Sequence, residues 1–326
     1  MPRRKALLIG INYTGSSHQL NGCINDALNM REYLVRDKGF PSDPGSMVML
    51  TDVPQNRGTP YEPTGENMMA AFHWLVTGNS PGDSVWLSYS GHGATTIPSA
   101  HSISRDMDKY QATLYVAFSS FQPAQRLTET LPQLHRVIVS PMHPQVRLTI
   151  LFDCCHSGSA VELPYVYRPN SAGQVNLVDN GEKGMSLVAA AANLVQGGFT
   201  MNKVNDAKML LGGAKSFFAG LQHRDAGPTN EDGLGEEKFV EDWKGEHKDV
   251  WMFSGCADDQ TSADTSIAGA ATGAMSWAFI RTMRENPQQS YINVLQNTRQ
   301  VLRQKYEQIP QLSVGAQYDL DQVVSF

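Results

Sequence analysis

The sequence predicts an α/β protein, a three-layer αβα sandwich built on a mainly parallel central sheet. Three observations carry that expectation. Short apolar runs rich in branched residues recur along the chain, and helical patterns separate them. The runs are apolar at consecutive positions, as strands buried on both faces are. In such an architecture helices cover both faces of the sheet and ligands bind at the carboxyl ends of its strands.

Taken in order, Lys5 to Ile11 is the first strand. Met1 to Lys5 is basic, but the apolar run after it is too short for a secretory signal and lacks a cleavage-site pattern. Asp26 to Asp37 reads as the first helix, Met47 to Leu50 as the second strand and Thr64 to Val76 as the second helix. Ser84 to Ser90 is the third strand. The following stretch, Ala94 to Thr130, carries few strong signals, Ala112 to Phe118 being strand-like. Leu148 to Phe152 is the fourth strand, Ala207 to Leu221 a helix and Val250 to Ser254 the fifth strand. Between the last two, Asp225 to Lys248 is charged and without period, which suggests a mobile, solvated loop. Gly273 to Glu285 and Tyr291 to Gln308 close the chain as helices, and the apolar content of Gly273 to Phe279 is expected to serve packing only.

Composition narrows the function classes. The chain has 326 residues, 41% of them hydrophobic, and a mean hydropathy of -0.33, enough for one large core or two small ones. No apolar run approaches the roughly 18 residues of a membrane helix, so no membrane partner is expected. A net charge of -6 argues against a general nucleic-acid binder. Four scattered cysteines, Cys23, Cys154, Cys155 and Cys256, form no disulfide framework and point to a reducing compartment.

Two strand ends carry chemistry. Asp153-Cys154-Cys155-His156-Ser157-Gly158 follows the fourth strand, and Ser90-Gly91-His92-Gly93 ends the third. Side chains of a strand alternate between faces, so if the extended form persists, Asp153 and Cys155 share one side, as do Ser90 and His92. Cys154 then points into the fold, and Cys155 is the exposed thiol. A thiol near 8.5 in pKa needs a neighbouring histidine to supply thiolate at neutral pH, and His92 is that neighbour. The bland alternatives are an inert buried cysteine and a satisfied loop histidine. Asp26 could equally cap the first helix, and Asp153 could be a strand-end turn residue. A metal site on Cys154, Cys155 and His156 is disfavoured, because adjacent ligands close a tetrahedron poorly and no second Cys/His cluster exists.

Five ordered segments resemble the type I metacaspases: Lys5 to Tyr13, Leu20 to Asp26, Ser90 to Gly93, Asp153 to Gly158 and Phe253 to Asp264. The resemblance implies a caspase-like fold and a cysteine endopeptidase acting through a Cys155–His92 dyad. Protein or peptide substrates with Arg or Lys before the scissile bond are implied, and Cys23, Asp26, Ser90 and Asp153 match the positions that line the pocket for that residue. It further implies a monomer in the cytoplasm and also the nucleus, self-processed at a basic residue such as Lys183. Residues 1–183 would form a large-subunit-like region and 184–326 a small-subunit-like one.

The family's acidic calcium run after the histidine motif is missing. Residues 94–131 are atypical, and an altered exon boundary, a shifted reading frame or a divergent loop would each produce that break. Glu162 matches a position where the family has an acidic ligand, so Ca²⁺ activation is an expectation with one matched residue. Many fungal members carry a Pro/Gln-rich prodomain, whereas this chain starts almost at its first strand. The competing reading is a catalytically impaired relative that acts in protein quality control by binding aggregates.

Overall fold

The computed structural model describes residues 2–16, 19–92, 134–154, 160–169, 241–255, 264–267, 270–304, 306 and 308–326. Strands β1 (Arg4–Gly10), β2 (Met47–Thr51), β3 (Ser84–Ser90), β4 (Arg147–Asp153) and β6 (Val250–Ser254) run parallel. β9 (Gln311–Val314) lies antiparallel to β6, and β5 (Tyr165–Tyr167) lies antiparallel to β9. The seven-stranded sheet has the order β2-β1-β3-β4-β6-β9-β5, so the mainly parallel sheet expected from the sequence is present. β7 (Asp264–Ile267) and β8 (Ala270–Gly273) form a separate antiparallel pair.

Among the described residues five α-helices flank the sheet: α1 (Cys23–Arg36), α2 (Gly65–Val76), α3 (Leu134–Ile138), α4 (Ala274–Glu285) and α5 (Tyr291–Arg303). Strand alternation divides the core into two clusters. Leu7, Ile9, Leu87, Tyr89, Ile150 and Phe152 pack on one side against Phe72 of α2 and Ile138 of α3. Ala6, Leu8, Trp86, Leu151 and Phe253 pack on the other against Met30 of α1, Phe279 of α4 and Leu302 of α5. These are called the α2 face and the α1 face below. Because both faces are covered, β3, β4 and β6 are buried at nearly every position. Thr64 and Ser290 cap α2 and α5 by accepting the N–H groups of Asn67 and Asn293.

Several local expectations are corrected. α1 begins at Cys23 with Gly22 as its N-cap, so Asp26 lies inside the first turn and caps nothing. α5 stops at Arg303, short of Gln308. Residues 241–246, within the expected solvated loop, form a 3-10 helix whose Trp243 is buried and stacks on the ring of His135 at 4.1 Å. The strand-like run Ala112 to Phe118 and the helical pattern Ala207 to Leu221 lie outside the described residues. Among the described residues no helix is long and apolar enough to cross a membrane.

Candidate active site

Sheet register brings the chemistry together. Gly10 pairs with Ser90 and Ser90 with Asp153, so β1, β3 and β4 end in line. Ser90 and Asp153 both point to the α1 face, as does Asp26 from the first turn of α1. All three are buried. The Ser90 hydroxyl donates to Asp26 Oδ2 at 2.5 Å, a short charge-assisted bond. Cys23, the first residue of α1, is buried as well.

Both carboxylates are held by the amino end of α4. The N–H of Gly273, the α4 N-cap, donates to Asp26 Oδ1 at 2.8 Å and Oδ2 at 2.9 Å. The N–H of Ser276 donates to Asp153 Oδ2 at 2.8 Å. A helix amino terminus offers unsatisfied N–H groups and partial positive charge, so it stabilises both anions. Gly273 must lack a side chain, since a Cβ there would overlap the carboxylates of Asp153 and Asp26 together. The sequence reading assigned Gly273 to Phe279 to packing alone, and the structure adds this polar task. The void bounded by Asp26, Ser88, Ser90 and Ser276 is too small for a water, so the described residues grip the carboxylates tightly.

His92 is reached differently. The extended form ends at Ser90 and the chain bends at Gly91, so alternation does not carry His92 onto the face of Ser90. Its imidazole lies against Tyr13 of the α2-face core, with ring centroids 4.6 Å apart. Its N–H donates to Tyr13 Oη at 3.1 Å, and Tyr89 Oη donates to its carbonyl at 2.8 Å. Sequence reasoning missed both tyrosines. The available signal was that a phenol buried in or after a central strand must find a hydrogen-bond partner.

Cys155 and His156 lie outside the described residues, as do Gly93 and Lys183. Cys154 is buried in the α2-face cluster, as strand alternation required. Glu162 has a left-handed backbone with φ of 52° and a buried Oε2 without a hydrogen-bond partner among the described residues. Calcium requires several oxygen ligands. Among the described residues no group of three or more His, Cys, Asp or Glu side chains could hold a metal ion. Those residues alone therefore do not fit the ion, and no chemical step is routed through it.

Comparison with known proteins gives concordant results. Residues 4–164 match the model of the metacaspase, peptidase C14 domain. The chain is 39% identical to Metacaspase-1A of Neurospora crassa over 98% of its own length and 64% of that protein's. It is 40% identical to Metacaspase-1 of Emericella nidulans over 98% of its length and 72% of the relative's. It thus spans somewhat less than two thirds of the Neurospora protein. Among solved structures, protein GSU0716 from Geobacter sulfurreducens shares the fold, with a TM-score of 0.50 at 18% identity over 98% of this chain and 97% of that one.

Proposed function

This chain belongs to the metacaspase family, and from that membership we propose that it is a cysteine endopeptidase cleaving after Arg or Lys. The observation that carries the specificity is the convergence of Asp26 and Asp153 at the strand ends that also deliver His92. A desolvated cation needs a compensating anion, and two carboxylates converge here. Because the described residues leave no water-sized space between them, a guanidinium reaches them only as the Gly273 and Ser276 N–H contacts give way. Ser90 orients Asp26, and the reading keeps Cys23 as a further pocket residue by its match to the family pattern.

In this reading His92 takes the proton of the Cys155 thiol, and the thiolate attacks the carbonyl carbon of the scissile bond. The resulting oxyanion is held by backbone N–H groups around Gly93 and Cys155. Collapse breaks the C–N bond as His92 returns the proton to the leaving amine, and water then hydrolyses the thioester. Ca²⁺, if it stimulates the enzyme, would use Glu162 as one ligand, and processing at Lys183 belongs to the same reading.

The test is hydrolysis of fluorogenic peptides carrying Arg, Lys or Asp before the scissile bond, with and without millimolar Ca²⁺. Cleavage of the Arg and Lys peptides alone, abolished by Cys155→Ala, is expected. Absence of cleavage under every condition would overturn the protease reading and leave the aggregate-binding one.

A further inference from the structure

We propose that Tyr13 and Tyr89 are positioning residues that clamp the peptide unit of His92, an inference that rests on the dyad reading above. The geometry is a closed hydrogen-bond ring. A phenol has one proton, and Tyr89 gives its own to the His92 carbonyl, so the 3.1 Å contact between the two hydroxyls is donated by Tyr13. Tyr13 Oη in turn accepts the His92 N–H. With Tyr89 donating to the carbonyl, the bonds run from His92 N–H to Tyr13, from Tyr13 to Tyr89 and from Tyr89 to the His92 carbonyl.

The ring replaces a neighbouring strand. Ladder pairing between β3 and β4 ends at Ser90, and the next bond, from Gly91 N–H to the Asp153 carbonyl, is stretched to 3.5 Å. Both polar backbone groups of His92 lie beyond that point, where the two hydroxyls take over the role of a sheet partner. Both phenols are almost wholly buried, which pushes their pKa values well above the ordinary phenol range and keeps them protonated donors at every working pH.

Two further features fit this role. Tyr13 has a left-handed backbone with φ of 54°, uncommon for a bulky residue and concentrated at functional sites. Gly91 makes room for the pair, since a Cβ there would lie 2.8 Å from Tyr89 Oη and 3.2 Å from Tyr13 Oη. The Tyr13 ring also supports the imidazole laterally. Backbone and ring of the base are thus fixed from the α2 face, away from the carboxylates.

The experiment reads the pair without any peptide substrate. The rate of alkylation of Cys155 by iodoacetamide is measured against pH with peptide-resolved mass spectrometry, in the wild type, His92→Ala, Tyr13→Phe and Tyr89→Phe. An imidazole-paired thiol reacts at low pH, and its inflection in His92→Ala moves up toward the free-thiol value of about 8.5. Each Tyr→Phe variant is expected to move the inflection in the same direction and to lower kcat on an Arg peptide roughly tenfold, with KM within twofold. A role confined to packing would leave the inflection unchanged. If His92→Ala shifts the profile and neither tyrosine variant does, the positioning role is overturned and the dyad stands. A wild-type profile equal to that of His92→Ala overturns both. The single variants are read independently, so a failure to fold in one leaves the other to decide.

Discussion

The two faces of the sheet deliver different halves of the site. On the α1 face, Asp26, Ser90 and Asp153 are gathered by a helix amino terminus and carry charge. On the α2 face, Tyr13 and Tyr89 are neutral, buried in the core and hold the backbone of His92, with the Tyr13 ring against its imidazole. Under the proposed function, binding of the substrate cation and activation of the thiol fall on opposite sides of one layer. They should be separable by mutation.

The largest test removes core from each face in turn. Phe279→Ala and Phe72→Ala should each cost about 3–5 kcal/mol, read by denaturant unfolding. Only the former, which lies on the helix that grips the carboxylates, should raise KM for an Arg peptide in the fraction that remains folded. Equal effects on KM would break the comparison. Next, Gly273→Val should depress Arg-peptide cleavage roughly a hundredfold, an overpacking cost of about 1–3 kcal/mol placed directly on both carboxylates. The His92-dependent alkylation of Cys155 should survive it.

Asp153→Asn keeps an acceptor for the Ser276 N–H but discards the charge. The loss in kcat/KM for Arg and Lys peptides should be about 1.5–3 kcal/mol, a charged hydrogen bond's worth, with a smaller change for a peptide bearing a neutral residue. The smallest effect lies behind the α2 face. His135 is buried against Trp243, its Nδ1 2.9 Å from the Val161 carbonyl and its Nε2 3.5 Å from Glu246. Burial lowers its pKa, against the raising influence of the Val161 carbonyl, Glu246 and Glu162. The unfolded chain therefore binds the proton more readily. Stability should be full above the ordinary histidine value of about 6.5 and fall as pH drops toward the lowered one, with a slope of at most one proton. Melting of His135→Gln against wild type between pH 5 and 7.5 checks this, and a flat difference would exclude it.

Legibility in the sequence followed burial. β1, β3, β4 and β6 are enclosed on both faces, so their runs are mostly apolar and each was legible. β9, Gln-Leu-Ser-Val, mixes polar and apolar side chains and looks like loop, and β5, Tyr-Val-Tyr, is strand-prone but only three residues long. Asp26 was legible as a pocket residue only through the family pattern. By itself it fits a cap, because nothing in Gly22-Cys23 marks the helix start. Gly273 was read as an ordinary helix opening, since close approach of two distant carboxylates leaves no local mark. Tyr13 and Tyr89 became partners only because the topology places β1 beside β3, 76 residues apart in sequence.

The grip of α4 on Asp26 and Asp153 has a consequence for the chain as a covalent object. Helix α4 and strand β6 belong to the carboxyl-terminal part, while their partners α1 and β4 belong to the amino-terminal part. A backbone cut within residues 170–240 would sever no sheet register and no carboxylate contact described above. The two fragments should co-elute as one particle under native conditions and separate only in denaturant. The same fragments, produced separately and mixed, should complement each other and rebuild the cation pocket from halves that each lack it.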